Sequence, residues 1–413
     1  MKMTRRDLLS AAALSGAAGA LAWMGRTPPA RAAALAGEPA PHVPVETLNG
    51  TSLPWTWEDG VKVFRLTAEP VEHEFAPGMK AHCWGYNGRT PGPTLEAVEG
   101  DRVRILVTNR LPEPTTIHWH GLLVPNGMDG VGGLTQPHIA PGETYAYEFT
   151  LRQHGTFMYH PHSDEMVQMA LGMMGFFIVH PQASPEPPAD RDFAFFLMEW
   201  AVEPGTFTPN PNVMTDFNLF TLNSRAYPGT APMVVRKGQR VRIRLANLSM
   251  DSHPLHIHGH NYWVTATDAG PIPPGARWPE TSVSVPVGTT RTVEFTADNP
   301  GDWAFHCHKA HHTMNAMRHD LPNLIGVDQG AVRNLQRLLP GYMPMGKDGM
   351  AEMAEMGMPG PANTLPMMAG EGPFGPIQMG GMFTLLKVRE NLESYADPGW
   401  YAHPPGTVAR KVG

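Results

Sequence analysis

One stretch of pattern occurs twice in this chain, and the duplication limits the fold to two copies of the same domain. Gly100-Asp-Arg-Val-Arg-Ile-Leu-Val-Thr-Asn109 leads to Ile117-His-Trp-His-Gly121, and Gly238-Gln-Arg-Val-Arg-Ile-Arg-Leu-Ala-Asn247 leads to Ile257-His258-Gly259. An offset of 138 carries Val103, Ile105, Val107 and Asn109 onto Val241, Ile243, Leu245 and Asn247. The same offset carries His118 and His120 onto His256 and His258. Apolar residues at every second position predict strands with one buried face. At an offset of 146, Gly142, Glu148, Phe149, Thr150 and Gly155 match Gly288, Glu294, Phe295, Thr296 and Gly301, while His160 and His162 match His306 and His308. The eight extra residues of the later copy are expected in the Pro-rich stretch Pro271 to Pro279.

An all-β chain of two domains is therefore expected. Its 413 residues can bury two cores, and 43 Gly with 43 Pro favour short strands joined by turns. The expected organisation is an export signal 1–32, an extension 33–60, a first domain 61–182, a linker 183–190, a second domain 191–395 and a tail 396–413. Thr384–Arg389 reads as a return strand closing the second domain.

The copies differ where chemistry is expected. Cys307, His312, Met317 and His253 correspond to Pro161, Met166, Leu171 and Thr115. A thiolate, two imidazoles and a weak axial thioether are the donors of a blue copper centre, so His253, Cys307, His312 and Met317 are candidate ligands in the second domain alone. His311 competes in register with His312, and the spacing from Cys307 favours His312. On an extended backbone His306 and His308 point away from Cys307. Across the copies, His118, His120, His160, His162, His256, His258, His306 and His308 form four His-x-His pairs. Eight imidazoles exceed the need of one copper and suit three, divided two, three and three.

His118-Trp-His-Gly121, His160-Pro-His162, His253-Pro-Leu-His-Ile-His-Gly-His260, and His306-Cys-His308 with His312 and Met317 resemble the four copper motifs of multicopper oxidases. Tyr86-Asn-Gly-Arg-Thr-Pro-Gly-Pro93 is similar to the entry of that family's first domain. The resemblance spans about residues 60 to 328 and is to two-domain laccases with the blue copper in the second domain. It implies two cupredoxin-like Greek-key β-sandwich domains and four copper ions. His253, Cys307, His312 and Met317 would hold type 1 copper, and His118 and His256 type 2 copper. His120, His160 and His308 would hold one type 3 ion, and His162, His258 and His306 the other. Asp129 lies where the family has a proton-relay acid. The family's other acid falls at Thr313, so Asp164, Glu165 or water must substitute.

The implied activity is four one-electron oxidations of Cu(I), phenols or Mn(II), in that order of preference, coupled to reduction of O2 to two waters. Because the cluster needs both domains face to face, a head-to-tail homotrimer of six domains is expected. A copper nitrite reductase would carry its cysteine in the first domain, where Pro161 stands. A copper store without turnover would not need a path between two centres.

Twenty His and 26 Met against two Cys is metal-handling composition without a disulfide framework. Cys83 reads as a buried structural thiol. Thr4-Arg5-Arg6-Asp7-Leu8-Leu9 and the Ala/Gly/Leu run after it resemble a twin-arginine signal with a small-x-small site at Ala30-Arg31-Ala32, predicting a periplasmic or otherwise exported protein without a membrane span. Its loss would move the net charge from −7 to about −11, which disfavours nucleic acid as a partner. Between residues 343 and 382 lie ten Met among Gly and Pro, read either as a Cu(I)-capture loop or as low-complexity packing. Met166, Met169, Met173 and Met174 are expected to pack.

Overall fold

Alternating apolar residues build short strands, and these strands pack as two pairs of facing sheets. The computed structural model describes residues 42–184, 186–315, 328–338, 362–366 and 370–412. The expected signal 1–32, the axial candidate Met317 and eight of the ten Met between 343 and 382 lie outside the described residues.

In the first sandwich one sheet contains Trp55–Glu58, Val61–Ala76, Met79–Tyr86, Arg102–Asn109 and Thr144–Thr150. The other runs Leu95–Val98, Gly175–His180, Gly155–His160 and His118–His120. Phe64, Leu66, Val103, Ile105, Val107, Trp119 and Phe177 fill the space between them. The second sandwich repeats this plan. Arg191–Trp200, Arg240–Asn247, Thr289–Thr296 and Tyr262–Thr267 face a sheet of Met233–Arg236, Phe383–Arg389, Gly301–Cys307, His253–Ile257 and Ser282–Val285.

The strand Arg191–Trp200 is buried along its whole length because both its faces are used. Phe193, Phe195 and Leu197 enter the second core. Ala194, Phe196, Met198 and Trp200 join Phe75, Met79, Cys83, Phe176 and Ile178 of the first sandwich in a third cluster. Burial on both faces explains the unbroken apolar run Phe193-Ala-Phe-Phe-Leu-Met198 within this strand. The same cluster holds Cys83 as a packing residue. Met173 and Met174 are fully buried, Met169 packs against the third cluster, and Met166 is exposed. The segment ahead of residue 61 does more than extend the chain. Glu46–Thr47 pairs in parallel with Phe193–Ala194, and Trp55–Glu58 pairs with Val61–Phe64.

The duplication extends to single hydrogen bonds. Asn109 is buried, and its Nδ2 donates to the carbonyls of Glu113 and Ile139, both at 2.9 Å, while its Oδ1 accepts from Leu111 N. Asn247 donates at 2.8 Å to the carbonyls of Asp251 and Val285 and accepts from Ser249 N. Each Asn therefore ties down the loop that delivers a His-x-His strand. Replacing Asn247 with Ala strands buried partners, each costing about 1 to 3 kcal/mol. We expect Asn247→Ala and Asn109→Ala to lose about 3 kcal/mol each in chemical unfolding. Midpoints unchanged from the parent protein would remove this role.

His73 hydrogen-bonds through Nε2 to the Ser224 carbonyl, joining the first sandwich to a turn of the second. Burial, reinforced by Arg225 and Arg89, pushes its imidazole down to about 4. Between pH 6.5 and 4 the unfolded chain thus takes up a proton that the folded chain refuses. The stability from this group is complete above its unfolded value and is lost as pH falls, by about 3 kcal/mol at the lower end. Urea unfolding from pH 7 to 4 should show a shallower pH slope for His73→Gln than for the parent chain. Parallel slopes would refute the assignment.

Candidate metal centres

The strand Gly301–Cys307 pairs with His253–Ile257 so that Leu255 lies opposite Cys307 and His256 opposite His306. Alternation then turns Cys307 into the second core. There Cys307 Sγ lies 3.7 Å from His253 Nδ1 and 3.6 Å from His312 Nδ1, and the two nitrogens are 3.1 Å apart. One first-row ion with bonds of about 2.0 to 2.3 Å can bridge donors at these separations. A thiolate with two imidazoles is also the donor set that copper prefers. The residues present therefore fit the ion.

All three donors are buried. Burial pushes the Cys307 thiol up to about 12 and the imidazoles of His253 and His312 down to about 3 and about 2. The imidazoles are thus neutral and able to bind metal at pH 7, whereas the thiolate needs a cation beside it. His253 Nε2 meets Ser249 Oγ at 2.8 Å, which leaves Nδ1 free to face Cys307. The Phe220 ring stacks on His312 at 4.1 Å. The backbone of Met382 takes a hydrogen bond from Cys307 N and gives one to the His312 carbonyl. Met382 is itself fully buried, so this member of the Met-rich segment packs in the core.

Sequence reading missed Glu199. Its Oε1 lies 3.8 Å from His253 Nε2 and 3.7 Å from His312 Nε2, with no hydrogen-bond partner among the described residues. Its other oxygen accepts from the backbone of Met250 and Asp251. Burial, and then the charge of Asp251, raise this carboxyl to about 7. A lone acid within the buried run Phe195-Phe-Leu-Met-Glu-Trp200 was the available signal.

The paired histidines form two sets. In the first, His118 lies opposite His160 across antiparallel strands, and His120 Nδ1 is 3.2 Å from His160 Nε2. In the second, His256 lies opposite His306, and His258 Nε2 is 3.1 Å from His306 Nε2. Backbone carbonyls fix the rings and leave one nitrogen of each for metal. His118 Nδ1 donates to Asp129 O at 2.8 Å, His160 Nδ1 to Pro161 O at 2.9 Å, His256 Nδ1 to Thr281 O at 2.6 Å and His306 Nδ1 to Cys307 O at 2.8 Å. His120 is inverted, since its Nε2 donates to Gly288 O at 2.9 Å. Burial lowers His160 to about 3 and His306 to about 4. His162 and His308 complete the sets through ring contacts with His118 and His256. Among the described residues, ring contacts run within each set and not between them.

Acids flank the first set. The Asp129 carboxylate lies 3.5 Å from His118 Nδ1, and Glu165 lies 3.7 Å from His160 and 3.8 Å from His162. Thr313 donates to the Ala310 carbonyl and is buried.

Residues 67–184 and residues 202–324 each match a family model described as multicopper oxidase, together more than half of the chain. A probable nitrite reductase-hydroxylamine oxidoreductase fusion protein of Kuenenia stuttgartiensis is 29% identical over 63% of this chain and 31% of its own length. Copper resistance protein A of Escherichia coli is 42% identical over 30% of this chain and 20% of its own. The chain thus spans less than a third of the length of these two relatives. The blue copper oxidase of Nitrosomonas europaea superposes with a TM-score of 0.60 at 26% identity, covering 82% of this chain and 91% of that one. With the cupredoxin-type sandwiches and the Cys307 donor set already described, these matches identify the chain as a copper-binding member of the multicopper oxidase family.

Proposed function

We propose that the protein is an oxidase coupling four one-electron oxidations of a reducing substrate to reduction of O2 to two waters, with four copper ions. The observation that carries this reading is the covalent continuity of His306-Cys307-His308, in which Cys307 joins one donor set while its neighbours join another. Type 1 copper would be held by His253, Cys307, His312 and Met317, and type 2 copper by His118 and His256. His120, His160 and His308 would hold one type 3 ion, and His162, His258 and His306 the other. Two members of each type 3 triad already approach within 3.2 Å and 3.1 Å, which supports that division. Copper held at these donors would supply one-electron redox chemistry toward dioxygen.

The chain supplies geometry and protons. Burial keeps water from Cys307, and carbonyls hold the imidazoles in the tautomer that can bind. Asp129, beside His118, is the proposed proton relay. Glu165 is the better replacement for the acid missing at Thr313, because its carboxylate lies near both His160 and His162. Cu(I) is the first donor to test, given the similarity to copper resistance protein A. Phenols and Mn(II) follow. Arg5 and Arg6 support export to the periplasm, and no helix among the described residues is long and apolar enough to cross a membrane. The nitrite reductase alternative is disfavoured by Pro161.

Each triad draws its third member from the other set, so the first set of one chain must meet the second set of another. A head-to-tail homotrimer satisfies this. An open cleft of about 1060 Å3 is lined by His256 and His258, with half-exposed Trp263 in its wall available for a partner domain.

Cys307→Ser should abolish both the blue absorbance and oxygen uptake with Cu(I) while leaving the fold intact. Oxygen uptake retained at the parent rate would end the oxidase reading. Light scattering of the copper-loaded protein should give the mass of three chains, and a fully active monomer would exclude the ring.

A further inference from the structure

We propose that His42, Glu96 and His180 form a further site for a divalent transition-metal ion of borderline softness, Zn2+ or Cu2+, which clamps the incoming N-terminal segment onto the first sandwich. One ligand atom from each of these residues lies within 4.8 Å of the other two. Two imidazoles and a carboxylate are a three-ligand set that leaves one position for water.

The fold places these residues together by register. Leu95–Val98 is the edge strand of its sheet and pairs in parallel with Gly175–His180, with Glu96 beside Ile178 and Val98 beside His180. Glu96 and His180 therefore share one face, and Glu96 Oε2 meets His180 Nε2 at 3.0 Å. The His42 ring stacks on His180 at 4.0 Å with an interplanar angle of 23°. A plain His-carboxylate hydrogen bond would account for the pair, but it does not call for the second imidazole that stacks on it with a nitrogen within 4.8 Å of both partners.

The carboxylate is also held from behind. Val45 N donates to Oε2 at 3.1 Å and Ser52 Oγ to Oε1 at 2.8 Å, the outer hydrogen bonding that orients metal-binding carboxylates. Burial lowers the His180 imidazole and so keeps it neutral. For Glu96 burial works upward, but hydrogen bonds from His180, Val45 and Ser52 outweigh it and keep the group ionised. Neutral imidazole with ionised carboxylate is the protonation state that binds a cation.

The site is separate from the copper donors. In the ladder Gly175 lies beside Tyr159 and Val179 beside Gly155, so His180 and His160 sit at opposite ends of the sheet, about 20 Å apart at the usual strand rise. Four residues beyond His42, Glu46–Thr47 adds to the second sandwich. An ion here would fix the segment that bridges the two sandwiches. This does not depend on the oxidase reading.

The test is calorimetric titration of the copper-loaded protein with ZnCl2 and, in a separate arm, CuSO4. Amide exchange of residues 43–52 is followed in parallel. One further equivalent should bind in each arm, with Cu2+ the tighter as the general affinity order dictates. His42→Ala, which alters an exposed side chain, and Glu96→Gln should each weaken binding by about 100-fold or more. The blue absorbance, which reports Cys307, should not change. Exchange over 43–52 should slow on metal addition in the parent protein and not in His42→Ala. No further equivalent, or undiminished binding in both variants, would overturn the proposal.

Discussion

The register between Gly301–Cys307 and His253–Ile257 decides what each residue of His306-Cys307-His308 can reach. With Leu255 opposite Cys307, the thiol enters the core beside His253 and His312, and His306 faces His256. A slip of one residue would turn the thiol toward the paired histidines and bury an imidazole in its place. The core prevents the slip. Leu255, Ile257, Phe305 and Cys307 are all fully or almost fully buried, and Phe305 packs against Phe195. Reversing the strand would expose several large apolar side chains at about 1.5 to 3 kcal/mol each. Hydrophobic packing therefore sets the metal geometry, and the metal does not have to.

The first copy shows the scaffold without the extra centre. Pro161 replaces Cys307, and Thr115 stands where His253 would be. Thr115 Oγ1 donates at 2.7 Å to Gln168 Oε1, and Gln168 Nε2 donates at 2.9 Å to the Pro114 carbonyl. A satisfied hydrogen-bond network fills the space that in the second copy holds a thiol and two imidazoles. Both copies keep the buried Asn, the cross-strand histidine pair and the Nδ1-to-carbonyl bond of the following motif. The architecture that positions histidines is thus independent of the architecture that positions Cys307.

The elements legible in the sequence are those fixed by local periodicity. Alternation at Val103-Arg-Ile-Leu-Val107 gave the strand and its buried face, and the offsets of 138 and 146 matched His118 and His160 to His256 and His306, which lie opposite each other across strands in the same way in both copies. Neither Glu199, marked only as a lone acid in an apolar run, nor Phe220 could be linked to His312 in the sequence, because they reach it from strands more than ninety residues earlier and no spacing rule connects them. The strand Glu46–Thr47 was hidden for a different reason. Two residues carry no periodicity, and only pairing with Phe193–Ala194 makes them a strand. His42, Glu96 and His180 lie in three separate segments, and each alone is an unremarkable residue type.

On the proposed ligand division, the two histidine sets pose a constraint that the ring contacts among the described residues do not meet. Each set supplies a close pair, His120 with His160 and His258 with His306, fixed by carbonyls of its own or the neighbouring sandwich. The third cluster locks the sandwiches together through Phe176, Phe196 and Trp200, so they cannot fold toward each other without breaking that core. His120 is likewise held to Gly288 of the second sandwich. Moving one set onto the other within the chain would sacrifice a buried aromatic cluster, whereas a second chain can approach with both cores intact. On the proposed ligand division, association is therefore the less costly route to a complete cluster, and oxygen chemistry would then be confined to the assembled form.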